Sequence, residues 1–342
     1  MVRQQSTRPL VHGATRNRVT LIFVAGGFMA TLCHIGAMSS NANPFDRTLV
    51  RRRRDRAAAS FEIYDFLVNE AAQRLGERLE DVRRDFHSTL DLGCHTGQLG
   101  RVLDRGGKVG YLVQCDLSAE MARRAGALAL AADEEALPFA EAQFDLVVSA
   151  LALHRVNDLP GTLWQIRHVL KPDGLFLAAL LGGDTLYELR HAWLMSEATL
   201  EGGASPRVAP LLRLEDAAGL LQRAGFALPV ADSERVTVTY DDPLKLMQEL
   251  RGMGESNALT QRSKRLSRRD TLMTATVQYR TLYGGSDGRV PATFDLIHLC
   301  GWAPDQSQRQ PLKPGSAGIR LSDALGTEEQ PTGIRAVPRT RD

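Results

Sequence analysis

Apolar residues follow two alternating patterns in the middle of the chain. Short apolar runs, typical of buried strands, alternate with longer stretches that have helical spacing. The apolar runs are TLDLG, YLVQCD, FDLVVSAL and LFLAALL, between residues 89 and 181. The helical stretches between them are GQLGRVLDR, SAEMARRAGAL and LPGTLWQIRHVL. Because parallel neighbouring strands need a crossover that is usually a helix, this order predicts an α/β fold whose parallel sheet is covered on both faces.

The same patterns extend to both sides of this region. Between residues 56 and 79, Phe61, Tyr64 and Val68 begin a series of apolar positions three and four residues apart, which predicts one amphipathic helix. After residue 212, RLEDAAGLLQRAGF predicts a helix leading to a strand, and RVTVTYDDPLKLMQELRGMG predicts a strand followed by a helix.

We divide the chain into four segments. Residues 1–42 form a leader or a gene-model extension, disordered or a lone apolar helix, and residues 43–85 form a basic, helical N-terminal segment. Residues 86–303 form the main domain with insertions, and residues 304–342, where Pro, Gly, Gln and Arg become frequent, form a mostly irregular tail. Residues 19–38 carry no formal charge, but glycines and threonines dilute their hydrophobicity, so no stable membrane span is expected.

Composition narrows the kind of partner. Lys and Arg total 42 and Asp and Glu total 40, which gives a formal charge of +2. This balance gives no reason to expect nucleic acid or a membrane surface as the main partner. The chain is 43% hydrophobic, which is enough to build a sizeable core.

Three acidic residues stand at or after the ends of predicted strands: Asp91, Asp116 and Asp133. Ligands of open α/β sheets bind at the carboxyl ends of the strands. Asp91 precedes a turn in which Gly93 and Gly97 allow a backbone path that side chains would block. A carboxylate there does not suit a pyrophosphate, and the sequence LDLGCHTG contains neither a dinucleotide fingerprint nor a P-loop lysine.

The three acids together describe a pocket for a nucleoside joined to an amino acid. Asp91 suits an ammonium or sulfonium group, and Asp116 stands where an acidic residue binds both hydroxyls of a ribose. Asp133, ahead of a Leu-Pro-Phe turn, suits the edge of an adenine. S-adenosylmethionine meets this description.

Five ordered motifs extend the argument: LDLGCHTG, CDLSAEM, ADEEALPF, FDLVVSALALHRVNDL and VLKPDGLFLAAL. This series resembles the class I S-adenosylmethionine-dependent methyltransferases, whose Rossmann-like fold is a seven-stranded sheet between helices. The resemblance implies that Asp91, Gly93 and Gly97 line the methionine moiety. It also implies that Asp116 binds the ribose and Asp133 the adenine.

A narrower resemblance covers nearly all of the chain from Phe45. It rests on FDRTLVRRRRDRAA, LGGDTLYELRHAW, LRGMGESNAL, VPATFDLIHLCGWAPDQSQ and KPGSAGIRLSDAL. These segments are similar to the methyltransferase-like assembly factors of respiratory complex I and their bacterial relatives, whose mitochondrial members are described as hydroxylating an arginine of a complex I subunit. The resemblance implies a protein substrate, such as a peripheral-arm subunit, and it also implies an antiparallel edge of late strands and a cap over the active site. It implies a cytoplasmic location in a bacterium and the mitochondrial matrix in a eukaryote.

Two positions depart from these families. The middle glycine of the pattern D-x-G-x-G-x-G is His95, and the tryptophan of the pattern LHWVNDLP is Arg155. We expect the first departure to bear on cofactor affinity and the second on the fit of the substrate.

Four further residues are weak candidates for catalysis. His154 and Asp158 suggest either proton transfer or a hydrogen bond that stabilises a turn. Asp184 and Arg190, in GGDTLYELR, suggest either substrate contacts or a simple loop and helix cap. The histidines have no recognisable spacing for an iron site, so we expect no metal.

Two other segments allow two interpretations each. The run from Arg51 to Arg54 is either a solvated helix face, or a lid over the cofactor cleft or docking patch for an acidic partner. In GESNAL, Glu255 and Asn257 either recognise a guanidinium or amide, or belong to a turn that ends a helix.

Three functions follow from these motifs. The first is modification of an arginine in a complex I subunit, by hydroxylation or by methyl transfer. The second is O-methylation of a small or carrier-bound carboxylate, as in the malonyl-carrier enzymes of biotin synthesis, which the core also resembles. The third is a cofactor-binding chaperone without catalytic activity.

Overall fold

The computed structural model describes residues 43–308, 316 and 318–328. The predicted leader or extension and much of the predicted irregular tail lie outside these residues. The boundaries proposed for the four segments therefore stay predictions.

One mixed sheet forms the centre of the described chain. Its seven strands are β1 (Phe86–Leu92), β2 (Val109–Asp116), β3 (Ala129–Ala131), β4 (Phe144–Ala150), β5 (Leu170–Gly182), β6 (Ala227–Tyr240) and β7 (Val290–Trp302). Their order across the sheet is β3-β2-β1-β4-β5-β7-β6. The first five strands pair in parallel, and β7 runs antiparallel to both β5 and β6. The predicted parallel sheet and its antiparallel edge are both confirmed.

Helices cover the sheet. The α-helices of the described residues are α1 (Arg47–Ala57), α2 (Phe66–Glu80), α3 (Gln98–Gly106), α4 (Ala119–Ala125), α5 (Leu159–Val169), α6 (Tyr187–Glu201), α7 (Leu214–Arg223), α8 (Pro243–Gly252), α9 (Arg269–Tyr283) and α10 (Leu321–Leu325). Two 3₁₀ helices span Ala58–Ile63 and Leu153–Arg155. The loop after α8, residues 253–262, is called the cap loop below.

Side chains of β5 show why the sheet has a core on each face. Leu175, Leu177 and Ala179 join an apolar cluster that includes residues of α2, α6 and α9. Phe176 and Ala178 join a second cluster with residues of α5 and α7. Because successive side chains of a strand point to opposite faces, the uninterrupted apolar run of β5 requires helices on both sides.

Three details differ from the sequence prediction. The single helix expected over residues 56–79 is divided, because the 3₁₀ helix Ala58–Ile63 follows α1 and Asp65 precedes α2. The two strands expected after α7 are one strand, β6, which pairs with β7 from Ala227 to Tyr240. The sequence patterns also do not locate α9 or the antiparallel strand β7 in the chain.

None of the helices in the described ranges combines the length and the apolar content needed to cross a membrane.

Candidate functional site

The predicted cofactor acids lie at one edge of the sheet. Asp91 near the end of β1 is in register with Gln114 of β2, and Asp116 at the end of β2 is in register with Ala131 of β3. Asp91 and Asp116 are completely buried. Asp133 follows β3, and its side chain is 36% exposed. The carboxyl ends of three parallel strands thus bring the three acids to the same edge, as the alternating pattern predicted.

The turn between β1 and α3 requires glycine at two positions. Gly93 has a φ of +72°, and a Cβ there would lie 2.1 Å from the Cβ of Ala152. Gly97 has a φ of +88°, and its Cβ would lie 2.6 Å from the carbonyl oxygen of Ala125. Both glycines therefore let the backbone pass close to neighbouring segments in a conformation that other residues adopt only with strain.

His95, which replaces a family glycine, is also in the left-handed region, with a φ of +50°. Its ring stacks on Phe61 with the centroids 5.3 Å apart, and Nε2 donates to the carbonyl oxygen of Ala150 at 3.0 Å. Burial and the charge of Arg54 lower the pKa of His95 to about 4, so the ring is neutral. Since Nε2 carries the proton, the buried Nδ1 is unprotonated, and it has no partner among the described residues.

Asp116 is held by the backbone and by an arginine. Its Oδ1 accepts from the N–H of Ser118 at 2.8 Å, and its Oδ2 accepts from the N–H of His95 at 3.1 Å. Arg54 Nη1 lies 3.4 Å from both oxygens and donates to Glu134 Oε1 at 3.0 Å. Burial alone would lower the pKa of Arg54, but the carboxylates of Asp116 and Glu134 raise it above its ordinary value.

A second arginine of α1 contacts the same edge. Arg47 donates to Asp133 Oδ1 at 2.5 Å and also to Glu134. Arg47 and Arg54 are seven residues apart, close to two helical turns, so they lie on the same face of α1. Helix α1 therefore covers two of the predicted cofactor acids, Asp116 and Asp133. Sequence reasoning did not select Glu134 or Arg47, and it named Arg54 only as the end of the run Arg51–Arg54, although the seven-residue spacing of Arg47 and Arg54 is visible in the sequence.

The run Arg51–Arg54 divides between solvent and interior. Arg51 and Arg52 are exposed, Arg53 is partly buried, and Arg54 is 1% exposed. A fully solvated helix face is therefore wrong for this run, and the contact of Arg54 with Asp116 agrees with the lid interpretation.

Asp91 has no cation beside it among the described residues. Burial raises its pKa to about 7, against a hydrogen bond from Gln114 Nε2 at 3.0 Å and with a smaller contribution from the charge of Asp116. Its second oxygen, Oδ1, is buried and has no partner in the described part of the chain. A cationic group placed there would satisfy this oxygen and stabilise the ionised form.

A separate apolar cavity of about 220 Å³ lies next to the 3₁₀ helix Leu153–Arg155. Its apolar walls come from β5, α6, α8 and the segment before α7, and they include Leu181, Leu186, Leu189, Val208, Leu211, Met247 and Leu250. Its polar lining includes His154, Arg155, Thr185, Arg207 and Glu255. We call it the Glu255 cavity.

Glu255 presents its two oxygens differently. Oε2 accepts from His154 Nε2 at 3.2 Å and from Arg155 Nε and Nη2 at 2.9 and 2.5 Å. Oε1 accepts no hydrogen bond from the described residues. Burial by itself would raise the pKa of Glu255, but Arg155 and His154 hold it well below its ordinary range. Glu255 is therefore an ionised carboxylate with one free oxygen in a largely apolar cavity.

His154 is oriented by this carboxylate. Burial lowers its pKa, although Glu255 acts in the opposite direction, so the ring is neutral near pH 7. Because Glu255 only accepts, Nε2 carries the proton and the buried Nδ1 has a free lone pair. Asp158 is not part of this pair: it is exposed and caps α5 by accepting from the N–H of Gly161 at 2.9 Å.

The other sequence candidates lie outside the lining of the Glu255 cavity or are occupied elsewhere. Asp184 is exposed and lies 3.3 Å from Arg235, and the exposed Arg190 makes no side-chain contact with the described residues. Asn257 lines the cavity, but its amide donates to the carbonyl of Pro206 and its Oδ1 accepts from the N–H of Leu259. Asn257 therefore shapes the cap loop.

Within the described ranges, no group of three or more His, Cys, Asp and Glu side chains is arranged to hold a metal ion.

Comparison with known proteins identifies the class of protein to which this fold belongs. Residues 90–178 match the family model of a methyltransferase domain. Together with the strand order, this match defines a class I methyltransferase fold.

Two relatives identify the family. Arginine-hydroxylase NDUFAF5, mitochondrial, of Mus musculus is 41% identical over 309 residues, which cover 86% of this chain and 90% of the mouse protein. The protein of that name in Danio rerio is 42% identical over 82% of this chain and 89% of its own length. The chain belongs to the family of the arginine-hydroxylase NDUFAF5 proteins, and it is an enzyme.

A second group of relatives is also similar. Malonyl-(acyl-carrier protein) O-methyltransferase of Halorhodospira halophila is 36% identical over 270 residues, which cover 77% of this chain and 90% of that protein.

Proposed function

We propose that this enzyme binds S-adenosylmethionine at the carboxyl edge of the sheet and modifies an arginine side chain of a protein. We propose further that the protein is a peripheral-arm subunit of respiratory complex I, modified during assembly in the bacterial cytoplasm or the mitochondrial matrix. The NDUFAF5 relatives are called arginine hydroxylases, and their name supports this residue type as the substrate. The observation that carries the proposal is the free oxygen of the ionised Glu255 in an apolar cavity.

The residues at the sheet edge fit the cofactor. Asp91 Oδ1, His95 Nδ1 and the Nε and Nη2 atoms of Arg54 are buried without partners in the described structure. Leaving such a group unsatisfied costs about 1–3 kcal/mol, so a polar ligand at this edge would be stabilised by filling it. The ammonium group of the cofactor suits Asp91. Asp116 suits the ribose hydroxyls and Asp133 the adenine, provided that the arginines of α1 shift when the cofactor enters.

The Glu255 cavity fits an arginine side chain. Its apolar walls suit the three methylene groups, and the unpaired Oε1 of Glu255 supports an assignment as acceptor for an N–H of the guanidinium. When bound, S-adenosylmethionine supplies an electrophilic methyl group. His154 offers its unprotonated Nδ1 as an acceptor for a proton that the guanidinium loses.

The same carboxylate argues against the second candidate. A malonyl-type substrate would bring its own carboxylate into the cavity, where the ionised Glu255 would repel it. The two arginines of the lining are already paired: Arg155 donates to Glu255 and to the carbonyl oxygen of Ser256, and Arg207 pairs with Glu197.

Mass spectrometry of the peripheral-arm subunits from a deletion strain tests the proposal. We expect one arginine to lose a mass corresponding to one oxygen atom if it is hydroxylated, or to one CH2 unit if a methyl group replaces a hydrogen, which separates hydroxylation from methylation. The wild-type gene should restore the modification, and a Glu255→Gln variant, which keeps the shape but loses the charge, should restore much less. Unmodified arginines in the wild-type strain would contradict the proposal and favour the chaperone, and a biotin requirement in the deletion strain would favour O-methylation.

A further inference from the structure

A second cavity on the other side of the cap loop is lined by three arginines. It has a volume of about 450 Å³ and lies between α1, the 3₁₀ helix Ala58–Ile63 and α8. Arg53 and Arg56 come from α1 and Arg251 comes from α8, with Ser60 and Gln248 as polar neighbours. None of its lining residues is acidic. We call it the arginine cavity.

These arginines differ from the others on α1. Arg47 and Arg54 are paired with carboxylates, whereas Arg56 and Arg251 have no side-chain hydrogen bond or ion pair with any described residue. Arg53 donates only to a neutral carbonyl oxygen, that of Ser256, at 2.6 Å. Uncompensated positive charge therefore converges from two helices on one concave surface.

The charge on Arg53 is poorly compensated. Burial and the neighbouring charges of Arg155, Arg262 and Arg56 lower its pKa to about 10, against a smaller contribution from Asp46. An anion in the cavity would relieve this repulsion, and a guanidinium binds a carboxylate through two parallel hydrogen bonds.

The shape of the cavity is fixed by packing. Gly252 at the end of α8 lies against the ring of Tyr64, where a Cβ would be 2.3 Å from the Tyr64 Cδ2 atom. Both residues line the cavity. A larger residue at position 252 would therefore collide with the ring of Tyr64 and displace one of these two walls of the cavity.

The arginine cavity and the Glu255 cavity share one wall. The carbonyl oxygen of Ser256 accepts from Arg53 at 2.6 Å and from Arg155 at 3.1 Å, and Ser256 lines both cavities. A peptide lying across Ser256 could place one side chain in each. This step rests on the function proposed above, but binding of an anion to the arginine cavity does not.

We propose that the arginine cavity binds the carboxylate of an aspartate or glutamate in a segment of the partner protein. Three convergent guanidiniums suit one or two carboxylates. A nucleic acid would need a longer basic surface, and the formal charge of +2 and a pI of about 8.4 do not favour one. The partner is therefore an acidic peptide segment.

Fluorescence anisotropy with a labelled tetraglutamate peptide tests this inference. The test variant is the double substitution Arg56→Glu and Arg251→Glu, and the matched control is Arg51→Glu with Arg52→Glu. Both doubles change the net charge equally, and the control arginines are exposed on α1 but do not line the cavity. Melting temperature and S-adenosylmethionine binding are measured for each variant, so that misfolding is detected independently of peptide binding.

We expect the test double to weaken binding of the peptide by about tenfold or more, and the control double to change it by less than about twofold. A tetraglutamine peptide should not bind. Equal losses in the two doubles would overturn the inference, because they would show general surface attraction. Displacement of the peptide by inorganic phosphate at concentrations where glutarate has no effect would also overturn it, in favour of a phosphoryl ligand.

Discussion

At the scale of single residues, Asp91 and Glu255 are buried carboxylates in opposite electrostatic surroundings. Asp91 has a neutral hydrogen-bond donor and no cation from the described part of the chain, and burial raises its pKa to about 7. Glu255 has Arg155 and His154 on one oxygen, which hold its pKa well below the ordinary range. Asp91 therefore lacks a cation that a ligand can provide, whereas Glu255 is ionised before any substrate arrives.

The raised pKa of Asp91 predicts that Asp91→Asn stabilises the cofactor-free protein. The pKa of the Asp91 carboxyl is about 4 in the unfolded chain and about 7 in the folded protein. Between these two pH values the unfolded state is ionised while the folded state still holds its proton. The free energy of unfolding of the wild type therefore falls over this range and stays lower above it. Thermal denaturation should give the variant a higher melting temperature at about pH 8, with the difference shrinking towards about pH 4.

Calorimetry on the same variant completes this test. Asp91→Asn should bind S-adenosylmethionine more weakly than the wild type, because the amide cannot pair with an ammonium group. If the melting temperatures of the variant and the wild type change with pH in the same way, the pKa of Asp91 is not raised by folding. If the affinity for S-adenosylmethionine is also unchanged, Asp91 is not a cofactor ligand.

The sequence reveals some of these residues and hides others. Asp91 and Asp116 are predictable because they end apolar runs whose order fixes their edge of the sheet. The sequence indicates Glu255 as one residue that could recognise a guanidinium, but it does not identify the partner Arg155, which is 100 residues away, and Glu134 is hidden together with its partner Arg54, 80 residues away. Local patterns do not specify such pairs, because tertiary packing decides which of many arginines meets which acid.

At the scale of elements, α1 connects the sheet edge to the cap loop. Arg54 reaches Asp116 and Glu134 at the sheet. At the start of the helix, Asp46 donates its N–H to the carbonyl of Ala258 and pairs with Arg262. A movement of α1 that exposes the cofactor acids must therefore disturb the cap loop as well.

The pair between Arg54 and Glu134 should be sensitive to one-sided change. Arg54→Met leaves the buried Asp116 without a cation and leaves Glu134 with Arg47 alone, which should lower the free energy of unfolding by about 3–5 kcal/mol. Adding Glu134→Gln should recover part of this loss, because one of the two buried negative charges that faced Arg54 is removed. Urea denaturation of both variants measures the difference, and equal stabilities would mean that the two side chains do not interact.

The tie between α1 and the cap loop should control cofactor release. Arg262→Ala removes the ion pair with Asp46, so we expect faster dissociation of S-adenosylmethionine in stopped-flow measurements, with little change in melting temperature. Arg265→Ala is the control, since Arg265 is exposed and its side chain makes no hydrogen bond or ion pair with the described residues. Equal dissociation rates in the wild type and both variants would show that α1 does not act as a lid.

The apolar patterns predict some of the strands and helices and miss others. The strands β1, β2, β4 and β5 follow from apolar runs, because all four pair in parallel and β1, β4 and β5 are largely buried. Strand β6 is partly exposed and its sequence predicts two strands, although it pairs with β7 along its length. The break after α1 was missed because the apolar spacing of residues 56–79 continues through the 3₁₀ helix Ala58–Ile63.

At the scale of the whole molecule, one sheet supports three neighbouring features. Its carboxyl edge presents the cofactor acids, and the cap loop contributes to both the Glu255 cavity and the arginine cavity. Helix α1 contacts the edge through Arg54 and lines the arginine cavity through Arg53 and Arg56. Cofactor entry and partner binding are therefore expected to influence each other through α1.

Isothermal titration calorimetry of S-adenosylmethionine with Asp116→Ala tests the central claim most directly. The wild type should bind one cofactor, and the variant should lose roughly 1.5–3 kcal/mol of binding free energy because a charge-assisted contact is removed. The control Asp184→Ala should match the wild type, since Asp184 is exposed and its side chain pairs with Arg235 and not with the cofactor acids. Unchanged affinity in Asp116→Ala, or no binding by the wild type, would contradict the assignment of this edge of the sheet to the cofactor.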